Sequence, residues 1–300
     1  MPAKIVIHAP IVVTLGIIAL FLTFPAQHAQ AASMTFSSDT TITTDQTIAS
    51  GETWLIKSGV LVSIASGVTV QNNGTIWNEG TLVINGTLVS SQGALPDDYG
   101  IENRGSITNF GVLTSSGPFA MNDHGSSDLV FNNYGTFNIS GSIGNAGVLN
   151  NYGTVNNSGT IMMDTLNNYG TINNDATLTM FGFTNSDSGT VNNNPDGKMD
   201  NQGYFTNEGR VNNYGSFTTE EGAYTENNDT IADKCDGSTT ATGSYIGNPV
   251  SREQCDGAGD SSDPKLELVV PEFPIGALAG VVAAIGTLGG YYIHQKRSSH

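Results

Sequence analysis

Glycine returns at intervals of six residues through much of this chain, each time with the same neighbours. Between positions 67 and 222 the consensus is Gly-Thr-Φ-x-Asn-x, where Φ is apolar, as in the Gly-Val-Leu, Gly-Thr-Val and Gly-Thr-Ile of 147–161. A repeat this short cannot describe a globular core. It predicts a solenoid, in which each turn buries its apolar side chains against the turns on either side.

The parity of the hexad separates an inner face from an outer face. Side chains on a strand alternate, so glycine, Φ and asparagine share the inside, while threonine and the two variable positions face outward. The apolar residues predicted to lie inside are Ile76, Leu82, Leu88, Ile107, Leu113, Phe137, Ile143, Leu149, Val155, Ile161, Ile172, Val191, Phe205, Val211 and Phe217.

Asparagine is the unusual inward residue. A buried amide is costly without hydrogen bonds, so we expect these side chains to bond along the stack or to the turn backbone. We also expect Asn-x-Gly to form the corners, with glycine supplying a positive φ. The inward asparagines are Asn78, Asn103, Asn109, Asn133, Asn145, Asn151, Asn157, Asn207 and Asn213.

A second period sets the size of one coil. Tyr134 and Tyr152 each precede a glycine and lie 18 residues apart, and Tyr169 follows 17 residues later. Three hexads make 18 residues, which predicts an all-β fold: a three-sided parallel β-helix with tyrosine stacked on tyrosine outside. The six-residue glycine repeat is interrupted at 94–99, 118–130 and 175–200. Low-complexity disorder is the alternative, but disordered chains lack regular apolar spacing.

The run Asn-Tyr-Gly-Thr-Val-Asn-Asn-Ser-Gly-Thr-Ile at 151–161 resembles the parallel β-helices of large secreted and cell-surface proteins, including adhesins. The left-handed hexapeptide β-helix has the same period, but its own pattern is not matched here. The handedness of the helix therefore stays open.

Both ends of the chain carry membrane-targeting signals. Residues 1–32 read as a signal peptide, with Lys4, an apolar stretch at 11–24 and a small-residue cleavage site at 29–31; an uncleaved anchor is the alternative. Residues 275–293 are uncharged and long enough to span a bilayer. Lys296 and Arg297 follow, which predicts a cytoplasmic C-terminus and an ectodomain outside.

The span is preceded by Pro271, Glu272, Phe273 and Pro274. This motif, followed by an apolar helix and a short basic tail, resembles the PEF-type C-terminal sorting signal of archaeal surface proteins. The resemblance implies recognition by an archaeosortase-like processing enzyme, and whether the anchor is cleaved stays open. An ordinary juxtamembrane break is the alternative.

These features divide the chain into five segments. They are a signal peptide (1–32), an N-terminal cap (33–66), the β-solenoid (67–222), an acidic, disulfide-containing stalk or cap (223–270), and the sorting motif with its transmembrane helix and basic tail (271–300).

The segment 33–270 carries a net charge of 7 − 26 = −19. That charge argues against nucleic-acid binding, which needs clustered Lys and Arg. Cys235 and Cys255 are the two cysteines, and in an exported chain they are expected to pair, which stabilises the segment by roughly 3 kcal/mol. Neighbouring aspartates could hold Ca²⁺, but their spacing fits no EF-hand loop, so no cofactor is predicted. These are Asp233, Asp236, Asp256, Asp260 and Asp263.

Catalysis is not predicted. Polysaccharide lyases and hydrolases also use β-helices, so a carbohydrate-active enzyme is the alternative function, but no catalytic triad or histidine cluster can be assembled. Insertions in solenoids often form the binding face, which makes two insertions the candidate ligand loops. Their polar residues are Asp97, Asp98, Asp123, His124 and Asp128.

Two outer-face features suggest modification or binding. Five sequons predict glycosylation, at Asn73, Asn85, Asn138, Asn156 and Asn228. The outward threonines would suit an ice-binding surface, but their ladder is broken, and threonine on exposed strand positions is ordinary β-propensity.

The sequence thus predicts an exported, membrane-anchored surface protein with a glycosylated solenoid, acting as an envelope component or adhesin. Its expected partners are the membrane, glycans or neighbouring envelope proteins, and a processing enzyme, with no nucleic acid.

Overall fold

The computed structural model describes residues 33–91, 100–121 and 129–255. The predicted signal peptide, sorting motif and C-terminal span lie outside these residues. All the regular elements described are β-strands, and within these ranges there is no helix able to cross a bilayer.

The strands follow one another at short intervals. They are β1 (Met34–Phe36), β2 (Thr40–Ile42), β3 (Gln46–Ile48), β4 (Thr53–Ile56), β5 (Leu61–Ile64), β6 (Thr69–Asn72), β7 (Thr75–Asn78), β8 (Thr81–Ile84), β9 (Thr87–Ser90), β10 (Ile101–Asn103), β11 (Ser106–Asn109), β12 (Val112–Ser115), β13 (Phe119–Met121), β14 (Val130–Asn133), β15 (Thr136–Ile139), β16 (Ser142–Asn151), β17 (Thr154–Asn157), β18 (Thr160–Asn168), β19 (Thr171–Asn174), β20 (Thr177–Asn185), β21 (Thr190–Asn193), β22 (Lys198–Asn207), β23 (Arg210–Asn213), β24 (Ser216–Thr219), β25 (Tyr224–Asn227), β26 (Thr230–Lys234), β27 (Ser238–Ala241), β28 (Ser244–Gly247) and β29 (Ser251–Glu253).

Parallel pairing stacks these strands into three faces. Face 1 runs from β1 through β4, β7 and β10 to β27, face 2 from β2 through β5 and β8 to β28, and face 3 from β3 through β6 and β9 to β29. Face 3 has 11 strands. The long strands β16, β18, β20 and β22 bend from face 1 into face 2 and join those two faces into one 18-stranded sheet.

The predicted three-sided parallel solenoid is therefore confirmed. It makes about ten turns, roughly 50 Å at about 4.8 Å per coil. The coils also occupy 34–64 and 224–253, on either side of the predicted solenoid range. The coils also continue across 175–200. There the six-residue glycine spacing is interrupted, but β20, β21 and β22 keep their parallel pairing.

The interior is as the parity predicts. Strands on all three faces alternate half-buried and buried residues, as in Thr75–Asn78 and Thr154–Asn157. All the apolar residues predicted inside are at most 2% exposed. Phe119, Phe131 and Phe137 meet edge to face at 4.9–6.0 Å between ring centroids, filling the centre of the coils near the two insertions.

Buried asparagines form continuous hydrogen-bonded ladders. On face 2, each Nδ2 donates to the Oδ1 of the asparagine in the next coil, at 2.7–2.8 Å. Each of these side chains is fully buried. The members of this ladder are Asn109, Asn133, Asn151, Asn168, Asn185, Asn207 and Asn227.

The second amide proton goes to the backbone. Asn133 donates to the carbonyl of Thr154, and Asn151 to that of Thr171, both at 3.0 Å. The predicted bonding along the stack and to the backbone is therefore confirmed for the described members. Of the predicted set, the side chain of Asn145 lies outside the description.

The ends of the ladders follow from amide chemistry. Asn109 is the first member on face 2, preceded by Ile84, and its buried Oδ1 has no donor within the described ranges. On face 3 the ladder Asn157, Asn174, Asn193 and Asn213 ends at Asp233, which is 2% exposed. A carboxylate accepts but cannot donate, so it fits the last position. Thr239 donates two further hydrogen bonds to the Asp233 carboxylate, from its backbone N–H at 2.9 Å and from Oγ1 at 2.6 Å.

Glycine is needed at most corners because the backbones of adjacent coils approach too closely there for a Cβ atom, and not because φ is positive. Gly67, Gly147 and Gly222 have positive φ, of 80°, 154° and 85°, but most corner glycines of the hexads, such as Gly153, are not among the positive-φ residues. A Cβ on Gly153 would lie closer than 3.0 Å to the carbonyl oxygen of Gly135 one coil earlier. That oxygen accepts the N–H of Thr154 at 2.9 Å, which holds the two backbones together. The expectation of a positive φ was therefore wrong for most of these glycines.

The last coil is closed covalently and electrostatically. Cys235 and Cys255 lie at disulfide distance, with Cα atoms 4.9 Å apart, as predicted. The N–H of Cys235 donates to the carbonyl of Glu253 at 3.0 Å. Lys234 forms an ion pair with the Glu253 carboxylate, and its hydrogen bond lowers the pKa of Glu253.

Gly153→Ala should lower stability by about 1–3 kcal/mol, because the added methyl group meets the Gly135 carbonyl. Gly144→Ala is the matched control, since a Cβ there would meet no atom of the described residues within 4 Å. Denaturant midpoints of the two variants test this. Equal midpoints would contradict the close-approach explanation.

Asn151→Ala removes the acceptor of Asn133 and the donor to Asn168, and we expect a loss of about 2–4 kcal/mol. Its neighbour Asn150 bonds to Asn132 and Asn167 but is half exposed, so water can replace those bonds and Asn150→Ala should cost under about 1 kcal/mol. Thermal and denaturant unfolding measure both. A larger loss for Asn150→Ala would sink the idea that the inner ladder stabilises the coils.

Candidate functional site

The predicted ligand loops lie outside the described residues, but their attachment points are defined. The segment 92–99, with Asp97 and Asp98, connects β9 on face 3 to β10 on face 1. The segment 122–128, with Asp123, His124 and Asp128, connects β13 on face 1 to β14 on face 2. Because β10 pairs with β13, the two insertions leave adjacent coils at opposite edges of face 1.

The described residues instead bring together a repeated polar surface along the edge between faces 2 and 3. Three successive coils share the outward pattern Asn, Tyr, Thr, Asn, because each contains Asn-Asn-Tyr-Gly-Thr-Φ-Asn. We call this surface the neutral patch. Its residues are Asn132, Tyr134, Thr136 and Asn138; Asn150, Tyr152, Thr154 and Asn156; and Asn167, Tyr169, Thr171 and Asn173.

The tyrosines form a stack parallel to the solenoid axis. Ring centroids of Tyr134, Tyr152 and Tyr169 lie 4.7 and 4.8 Å apart, with interplanar angles of 7° and 8°. Phe110 extends the stack at 5.1 Å. The predicted stacking is confirmed. Each inner ring has both faces covered by its neighbours, so the patch presents ring edges and hydroxyls to solvent.

Burial, followed by the nearby Tyr134 and Tyr169 phenols, raises the pKa of Tyr152. The Tyr152 hydroxyl therefore stays protonated and uncharged at neutral pH. It forms no hydrogen bond with the described part of the chain, which leaves it open to a ligand as both donor and acceptor.

Outer asparagines form ladders of their own, on either side of the tyrosines. Asn167 donates to Asn150 and Asn150 to Asn132, both at 2.9 Å. On face 3, Asn173 donates to Asn156 and Asn156 to Asn138, both at 2.8 Å. These bonds point toward the N-terminal coils, whereas the inner ladders donate toward the C-terminal coils.

The threonine column on face 3 is more regular than the sequence suggested. Thr136, Thr154, Thr171 and Thr190 pair directly, rung after rung. The outward threonines predicted to form one broken ladder lie on different faces: Thr75 and Thr160 belong to face 1, Thr81 to face 2 and Thr154 to face 3. The ladder is therefore broken only when read in sequence order.

The patch contains no charged side chain, although the chain as a whole has a formal charge of −17. Asp175 is an acidic residue at its face 3 border. With Asn156 and Ser158 it helps to line a shallow depression of about 230 Å³. Asn194 donates to the Asp175 carboxylate at 2.6 Å.

The acidic C-terminal segment shows no cation site among the residues that the structure covers. No group of three or more His, Cys, Asp or Glu side chains is found there that could hold a metal ion. Asp233, one of the candidate calcium ligands, instead accepts hydrogen bonds from Asn213 and Thr239. Asp256, Asp260 and Asp263 lie outside the described ranges.

The sequons fall into two structural groups. Asn85 and Asn228 are exposed at corners, and Asn73 is half-buried and accepts from Gln71. Asn138 and Asn156 belong to the outer ladder: Asn156 lies between the amides of Asn138 and Asn173, and Asn138 lies between Asn156 and the Thr114 hydroxyl.

Sequence reasoning found the tyrosine spacing but missed the patch. The patch is visible in the sequence only when residues are aligned by coil, at 18 and 17 residues, because alignment by hexad mixes the three faces. Aligned at 18 and 17 residues, the three Asn-Asn-Tyr-Gly-Thr segments coincide in every outward position.

If the chain is produced in a host with N-glycosylation, Asn85 and Asn228 should be modified, and Asn138 and Asn156 should not. A glycan on Asn156 Nδ2 would displace the hydrogen bond to Asn138 and collide with the adjacent rungs. Glycopeptide mass spectrometry measures occupancy at each site. Glycan occupancy at Asn156 equal to that at Asn85 would contradict the prediction that the outer ladder blocks modification.

Comparisons with known proteins leave the function to be argued from this geometry. No protein-family model matches the chain, and no curated protein or solved structure is significantly similar to it.

Proposed function

We propose that this chain is an exported, membrane-anchored surface protein whose solenoid serves as a rigid adhesive element of the cell envelope. The observation that carries the proposal is the neutral patch, an uncharged, repeated and hydrogen-bonded surface on a strongly acidic chain. Such a surface suits many shallow, identical contacts along an extended partner.

Features at the two ends support display outside the cell. Residues 1–32 have the pattern of a signal peptide, and residues 275–293 have that of a membrane span with Lys296 and Arg297 behind it. The cysteine pair fits an oxidising compartment. The resemblance of 271–274 to the PEF-type sorting signal suggests archaeosortase-like processing near that motif.

The solenoid supports an adhesive role mechanically. Its coils are joined by parallel strands on three faces and by internal amide ladders, so outward side chains keep fixed spacings. A binding surface with fixed spacings loses little conformational entropy on contact. Weak contacts repeated along one chain then add to a useful avidity.

Surface display can be tested with the full-length chain in expressing cells. We expect it in the membrane fraction, resistant to carbonate washing, and cleaved by protease added outside intact cells. Deleting 275–300 should release the ectodomain into the medium, whereas deleting the basic tail alone (294–300) is the control that keeps the span. Recovery of the full-length chain in the cytoplasm would refute the proposal.

A further inference from the structure

Resting on the proposed adhesive function, we propose that the neutral patch binds an uncharged polysaccharide chain. The site is the grid of Asn, Tyr and Thr side chains on the coils of β14 to β19. The contacts are hydrogen bonds from amides and hydroxyls to sugar hydroxyls.

The outer amides keep free hydrogen-bonding capacity. Asn156 uses one Nδ2 proton on Asn138 and accepts one bond from Asn173. An amide has two donors and an acceptor oxygen with two lone pairs, so one donor and one lone pair remain. Asn150 is in the same position between Asn132 and Asn167. Within the described chain, Thr154 Oγ1 and the Tyr152 hydroxyl have no protein partner.

The outer ladders also hold the unused donors and acceptors of these amides in fixed orientations before any ligand binds. Each middle amide is held on both sides by bonds of 2.8–2.9 Å, and each inner ring lies between two others. Ordering a free side chain at an interface costs about 0.5–1.5 kcal/mol, and here that ordering is already present before binding. A polyhydroxylated ligand therefore meets donors and acceptors that need not rearrange.

The charge distribution selects a neutral ligand. The four columns of the patch are uncharged, and the acidic remainder of the chain repels polyanions. A cationic ligand would find no carboxylate within the grid. The tyrosine spacing of 4.7–4.8 Å along the axis favours a ligand that is itself long and repetitive.

A protein partner fits this surface less well. Three coils high and about seven residues wide, the patch covers roughly 300 Å², against about 800 Å² per partner in a stable protein interface. A peptide strand cannot extend the sheet here, because the backbone groups of these strands already pair with the adjacent coils.

The test places charge in the grid without altering the coils. Thr154→Asp with Thr171→Asp adds two carboxylates on adjacent rungs of face 3. Thr160→Asp with Thr177→Asp is the matched control, since these residues are also paired rung neighbours but lie on face 1. Tyr152→Phe is a milder variant, which keeps the ring in the stack and removes its hydroxyl. Circular dichroism and melting temperature confirm folding of each variant.

The probes are cellulose, chitin and cross-linked dextran, with carboxymethyl cellulose and dextran sulfate as charged counterparts. The detergent-solubilised full-length chain should bind at least one neutral polymer, in high as well as low salt, and neither charged one. The face 3 double variant should bind at least about tenfold more weakly, with the face 1 control unchanged. Tyr152→Phe should fall between them.

Three results would overturn the proposal: no binding to any neutral polymer, preference for the charged polymers, or equal loss in both double variants. Inhibition of ice recrystallisation that is lost with the face 3 variant, without polysaccharide binding, would replace the ligand with ordered water. If the protein is protease-accessible on cells and holds them together but binds no neutral polymer, the ligand class fails and the adhesive function stands.

Discussion

Hydrogen bonds between buried asparagine side chains determine how the coils align. The apolar residues at the centre of the strands are interchangeable in this respect, since Phe, Val, Ile and Leu pack on one another in several registers. An amide is less tolerant, because a slip would place it against an apolar neighbour with its donor and acceptor unpaired. Asn133 over Asn151 over Asn168 is therefore the contact that selects one register among many.

Register on the inside dictates arrangement on the outside. Once Asn133 and Asn151 are aligned, Tyr134 must lie over Tyr152, and Asn132 over Asn150. The ordered outer surface thus needs no interaction of its own to place it, although the tyrosine stack and the outer amides add to it. A binding surface built this way inherits the spacing of the backbone.

Much of the interior was predictable, because alternation along a strand depends on local sequence alone. Ile76 and Asn78 could be assigned to the inside from their positions in the hexad, and the structure buries both. The role of Gly153 was not predictable in this way, since it depends on Gly135 in the previous coil. The extent of the coils was not predictable either. Segments such as Thr53–Ile56 alternate half-buried and buried residues without the six-residue glycine spacing. The neutral patch joins two faces, and a hexad repeat does not show which hexads become neighbours.

Asp233 ends the asparagine ladder of face 3, and this limits where further coils could be inserted. Any coil between Asn157 and Asn213 could be duplicated, because each new amide would receive a bond from one side and donate one to the other. After Asp233 the amide ladder cannot continue, because a carboxylate has no N–H to donate, and the next rung of face 3 holds Arg252 instead of an asparagine. Gene duplication can therefore lengthen this protein from within, and the single exchange of an amide for a carboxylate marks where the asparagine ladder of face 3 ends, one rung before β29.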